Sequence, residues 1–132
     1  MKKELFKTNL IFDRFNGCHS ILKKIAYDMY EWCVICDAPF MITAALSTEE
    51  EDKKLNRVSS THREGRAFDL SCFGWDKDRI LVFKTMFSEK YKDVAAISPS
   101  TNKPTLIIHH DNGNGMHFHV QIRSGLSDLN IS

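Results

Sequence analysis

Hydrophobic positions in the first third of the chain recur in steps of three and four. Leu22, Ile25, Ala26, Met29, Tyr30 and Cys33 fall on one side of a 3.6-residue repeat, with Lys23, Lys24, Asp28 and Glu31 between them. That spacing predicts an amphipathic helix over residues 18–35, opened by Asn16-Gly17 and closed before Pro39. Residues 40–46 are short, apolar and bounded by that proline and an acidic cluster, the pattern of a buried strand. Residues 47–60 carry Glu49, Glu50, Glu51, Asp52, Lys53 and Lys54 and read as an exposed loop with room for one helical turn, its charges facing solvent. Gly65 offers a tight turn into a second strand over residues 66–70. Asp76 is placed to cap a second helix whose apolar side is Ile80, Phe83, Phe87 and Tyr91. Beyond Pro99 and Pro104, residues 105–110 and 116–122 are rich in β-formers and flank Asp111-Asn112-Gly113-Asn114-Gly115, a hairpin signal. The order helix, strand, loop, strand, helix, hairpin predicts an α+β fold, a small, mostly antiparallel sheet with two main helices packed on it.

Composition bounds this picture. A chain of 132 residues, 42% of them hydrophobic, holds one ordinary core, and no repeat or linker divides it, so residues 1–132 are expected to form a single domain. Eighteen Lys and Arg against seventeen Asp and Glu leave a net charge of +1, which supplies no bulk attraction to nucleic acid or anionic lipid. No apolar run approaches the ~20 residues that span a bilayer. Neither nucleic acid nor a membrane is therefore an expected partner. Glu4 and Lys7 interrupt any apolar leader, so the expectation is a cytoplasmic product without a secretory signal. Cys18, Cys33, Cys36 and Cys72 are expected as reduced thiols, with Cys33-Val34-Ile35-Cys36 read as the buried end of the first helix rather than a redox or zinc motif.

The histidines change the picture most. His117 and His119 are one residue apart in the second hairpin strand, so the two-residue period of a strand puts both imidazoles on one face. His62 precedes Asp69 by seven positions, with Gly65 between them where the chain can turn and bring both side chains together. Hydrolytic zinc sites take three protein ligands from His, Asp or Glu and leave one position open for water, whose pKa the ion lowers toward ~7. His62, Asp69 and one histidine of the pair meet that specification, and the other histidine is placed to move a proton or stabilise an oxyanion. Of His109 and His110, one must share the face of His117 and His119, and register decides which.

These residues resemble a known family. Ser60, His62, Gly65, Ala67 and Asp69 match the motif SxHxxGxAxD, and His117 and His119 match a late HxH, as in the zinc D-Ala-D-Ala carboxypeptidases and L-alanyl-D-glutamate endopeptidases, whose wider superfamily includes lysostaphin-type peptidases and the hedgehog signalling domain. The likeness extends in outline from Leu22 to Ile122. It implies a hedgehog/D-Ala-D-Ala peptidase-like fold, Zn2+ held by His62, Asp69 and His119, a catalytic His117, substrate contact by Ser60, and peptidoglycan stem peptides as substrate. In many members a glutamate stands three residues before the last zinc histidine; here that position is Met116, so only the HxH form of the mechanism applies. Many also carry an arginine just after the strand corresponding to residues 40–46, where this chain has none. Arg57, in the loop leading to the motif, is the candidate replacement ahead of Arg63 and Arg66. A lone catalytic domain of this kind resembles phage lysins and virion-associated lytic proteins, which reach the wall by other means. The alternatives are a zinc-binding module of the same fold that has lost hydrolysis, and a metal-free hydrolase that uses the histidines as an acid/base pair.

Overall fold

The computed structural model describes residues 1–56, 60–111 and 116–127. A 3₁₀ turn at Lys3–Leu5 leads into helices α1 (Asn9–Asn16) and α2 (Ser20–Cys36), strand β1 (Ile42–Ala45), helix α3 (Glu49–Lys54), strand β2 (Ala67–Ser71), helix α4 (Lys77–Lys90) and strands β3 (Ile107–Asp111) and β4 (Met116–Gln121). The strands form one antiparallel sheet in the order β1-β2-β4-β3. The α+β expectation therefore holds at this level, and each expected element is present. The expected turn between β3 and β4, residues 112–115, lies outside the described residues.

Alternation along the strands separates two faces. Ile42 and Ala45 of β1, Phe68 and Leu70 of β2, Phe118 and Val120 of β4, and Ile107 of β3 are buried in the hydrophobic core. Over them lie Leu22, Ile25, Ala26, Met29 and Cys33 of α2 and Phe83 and Phe87 of α4, the stripes that the helical spacing marked. Phe83 is the centre of this packing: its ring stacks on Phe118 with centroids 4.8 Å apart and meets Trp75 edge-on at 5.0 Å. Asp76 caps α4 as expected, its carboxylate accepting from the Arg79 N–H.

Helix α1 is the one substantial element that periodicity did not predict. Thr8 caps it through its hydroxyl, which accepts from the Ile11 N–H, and Phe15 plugs it into the core against Phe68. Strand β1 is irregular: Ile42 pairs with Leu70 and Ala44 with Asp69, so β1 spends two residues where β2 spends one, a bulge at Thr43.

No disulfide forms, in line with the reduced-thiol expectation. Burial pushes the Cys18 thiol up to about 11 and those of Cys33 and Cys72 up to about 12. Because the thiolate is the nucleophile, iodoacetamide at pH 8 is expected to modify the folded protein at Cys36 at most, and all four cysteines only in denaturant. Mass spectrometry of the alkylated native protein checks this, and labelling at any of the other three would contradict it.

Candidate metal centre

The face of the sheet opposite the core collects the polar residues. Register sets them in two rows: Ala44, Asp69, His119 and Ile108 run across β1, β2, β4 and β3, and Ser71, His117 and His110 run across β2, β4 and β3. His110 thus shares the face of His117 and His119, whereas His109 turns to the core side, its ring 5.2 Å from Phe118. Burial, and then the nearby charges of His117 and His119, hold His110 below the ordinary histidine value.

His62 arrives from outside the sheet. Residues 60–66 form a compact turn in which Glu64 N–H donates to the Ser60 carbonyl, Gly65 N–H to that of His62 and Arg66 N–H to that of Thr61. Gly65 sits at φ +71°, a left-handed conformation that a side chain strains, and its carbonyl accepts from the His19 N–H, tying the turn to the start of α2. The motif glycine thereby folds His62 back onto β2.

The result is a buried cluster. His62 Nε2 lies 3.1 Å and His119 Nδ1 3.0 Å from the same oxygen, Oδ1 of Asp69, and one donor atom from each residue falls within 4.8 Å of the other two. Tetrahedral ligands at about 2.0–2.1 Å from a zinc ion are themselves about 3.3 Å apart, so these donors need only small adjustments to share one ion. Two imidazole nitrogens and one carboxylate oxygen also form the nitrogen and oxygen donor set that suits a divalent metal such as Zn2+. Among the described residues, this is the one His/Cys/Asp/Glu grouping with metal-binding geometry. Burial alone would raise the Asp69 carboxyl, but hydrogen bonds with His119 and His62 and their positive charge outweigh it and hold the group far below the usual carboxylate range. Asp69 is an anion throughout the neutral range, as a ligand must be.

His117 flanks the cluster. It is buried, its Nε2 lies 3.8 Å from Asp69 Oδ2, and its ring packs against that of His110 with centroids 4.3 Å apart. Asp69 and His117 also form part of the wall of a cleft of about 430 Å³, bounded elsewhere by α1, β1 and α3.

The other sequence candidates that the structure describes do not line this cleft. Ser60 donates to Glu64 Oε2 at 3.0 Å and is not part of the cleft wall. Arg57 lies outside the described residues. Arg63 pairs with Asp52, and Arg66 with Glu64 and the Ile122 carbonyl. Among the described residues, the cations that line the cleft are Lys7 and Arg14, both N-terminal to the motif. Arg14 Nη1 contacts both carboxylate oxygens of Glu51, at 2.7 and 2.9 Å, and donates to the Leu46 carbonyl at 3.3 Å. Thr8 as a cap, with Ile11 and Phe15 four apart, is the sequence signal that would have placed Arg14 on a helix.

Among the described residues, no helix is long and apolar enough to cross a membrane. Comparison with protein-family models, curated proteins and solved structures found no match.

Proposed function

We propose that this protein is a zinc-dependent peptidase acting on peptidoglycan stem peptides, with the hedgehog/D-Ala-D-Ala peptidase-like fold that its motifs resemble. The observation that carries the reading is the convergence of His62 Nε2, Asp69 Oδ1 and His119 Nδ1 in a buried cluster whose Asp69 opens, together with His117, onto a cleft. A bound divalent ion supplies Lewis acidity there, to polarise a carbonyl and to lower the pKa of water. His62, Asp69 and His119 hold it. His117 stands beside the ligands and lines the cleft, where it would take the proton of the attacking water and, once protonated, donate to the oxygen that gains charge as the carbonyl carbon becomes tetrahedral.

Arg14 is the group in the cleft suited to a substrate carboxylate. Its guanidinium holds the carboxylate of Glu51 with two short contacts, and an anionic peptide end would bind it in exchange for Glu51. In this proposal Arg14, not Arg57, fills the role that the family gives to an arginine after the strand. A stem peptide also carries such carboxylates, so charge and chemistry agree.

The test is incubation of zinc-loaded protein with purified muropeptides, followed by detection of new amines or released D-alanine. Turnover in wild type that disappears in His119→Ala and under strong chelation supports the peptidase. In that assay Arg14→Ala raises KM on the order of tenfold with a smaller change in kcat, as loss of a binding contact does. Stoichiometric zinc without turnover on any stem peptide would favour the alternative, a binding module of the same fold. Turnover that survives chelation would favour the metal-free hydrolase.

A further inference from the structure

A polar network at the end of β4 reaches the donor triad through His119. Gln121 is buried at the end of β4, and its backbone is clamped on both sides: its N–H donates to the Leu106 carbonyl at 2.8 Å and its carbonyl accepts from the Ala96 N–H at 3.3 Å. Its side-chain amide nitrogen lies 3.0 Å from the Thr105 carbonyl oxygen. A carbonyl only accepts, so the –NH2 of Gln121 must face Thr105, and Oε1 must face the other way. What Oε1 faces is His119 Nε2, 3.2 Å distant. Oε1 only accepts, so this contact is a hydrogen bond when the ring carries a hydrogen on Nε2, and the Thr61 hydroxyl lies 3.4 Å from the same nitrogen.

We propose that Gln121 is a positioning residue for the metal centre: its Oε1 accepts from Nε2 and so turns Nδ1 of His119 toward Asp69 Oδ1, 3.0 Å away, where a bound ion would take the place of the hydrogen between them. The inference rests on the zinc-site reading above and goes beyond the three ligands. A histidine that ligates through one nitrogen commonly donates through the other to an oxygen that orients the ring. Here that oxygen is oriented in turn by a main-chain carbonyl of the segment entering β3. The chain of donors runs from Nε2–H of His119 to Oε1 of Gln121, and from its amide N–H to Thr105. Rotating the Gln121 amide by half a turn would oppose two carbonyl oxygens at one end and two N–H groups at the other, so the network admits one orientation.

The test compares wild type with Gln121→Met, which keeps the length of the side chain and removes the acceptor, and Gln121→Glu, which keeps an acceptor toward His119. Zinc affinity is measured by competition with a chromophoric chelator, and the His119 ring by ¹⁵N–¹H spectra of metal-free protein. The expected result is a solvent-protected His119 Nε2–H resonance in wild type that is lost in Gln121→Met, with zinc binding weakened 10–100-fold in that variant and weakened less in Gln121→Glu, which keeps the acceptor for Nε2 but sets its second oxygen against the Thr105 carbonyl. Thermal unfolding of the metal-free variants separates this from general destabilisation. The proposal is overturned if Gln121→Met, still folded, binds zinc as wild type does, or if the wild-type ring carries no proton on Nε2. If wild type shows the Gln121-dependent Nε2–H resonance but takes up no zinc, the orientation of His119 stands and the metal reading alone falls.

Discussion

Asp69→Ala is expected to abolish the stoichiometric zinc binding proposed for the cluster, with affinity reduced by on the order of 100-fold or more, equivalent to about 2.7 kcal/mol. The size of the effect follows from the arrangement. Asp69 contributes the one negative charge of the triad, and its Oδ1 is the atom that both His62 and His119 approach. Removing it takes away a ligand and also leaves two imidazoles facing each other, ring centroids 4.9 Å apart, with nothing to share between them. His62→Ala and His119→Ala lose affinity by the same route, since two ligands rarely suffice for a buried zinc site. Asp69→Asn is the informative companion, because it keeps the shape and removes the charge. Metal content after dialysis, together with chelator competition, measures all four variants. Zinc retained at one equivalent in Asp69→Ala would show that other residues hold the ion.

Phe83→Ala produces the largest loss of stability expected from a single change in the core, about 3–5 kcal/mol. Phe83 is fully buried and packs its ring against Trp32, Trp75, Phe87 and Phe118 at once. Truncation therefore opens a void between α4 and β4 that four aromatic neighbours cannot close without leaving their own positions. For a chain of this size the change corresponds to a fall of roughly 10–20 °C in Tm. β4 also carries His117 and His119 on its other face, so the same substitution is expected to loosen the metal site. Calorimetry of the metal-free and zinc-loaded forms reads both effects. A fall of less than about 1 kcal/mol would mean that the aromatic cluster repacks around the gap.

The elements legible in the sequence are those whose burial is one-sided. The stripes of α2 and α4 repeat cleanly because a helix lying on a sheet buries one face, and His117 and His119 share a side because a strand alternates. The motif from Ser60 to Asp69 announces its chemistry by residue type and its turn by Gly65. What the sequence hides is of another kind. Helix α1 is only eight residues long, so its apolar side amounts to Ile11, Phe12 and Phe15, too short a repeat to stand out without the Thr8 cap. Arg14 and Asp69 meet at one cleft although they are 55 positions apart, and nothing local to either records the other. Gln121 looks like one more polar residue in an alternating strand. Its use depends on where the Thr105 carbonyl falls, and that is fixed by the pairing of three separate segments. Which of His109 and His110 faces the site was likewise a matter of register.

The bulge at Thr43 has a consequence for how such a protein can change. By shifting the parity of β1, it lets Ile42 and Ala45 both enter the core. The strand's own contribution to the cleft is then Thr43, Ala44 and Ala45, which carry no charge. The charges on that side come instead from outside the sheet: Lys7 just before α1, Arg14 from α1 and Glu51 from α3. The donor atoms belong to the inner strands and the motif turn, while the charged part of the cleft wall belongs to the segments at its edge. Substitutions at Arg14 or Glu51 are therefore expected to change the charge of the cleft while leaving the geometry of His62, Asp69 and His119 as it is.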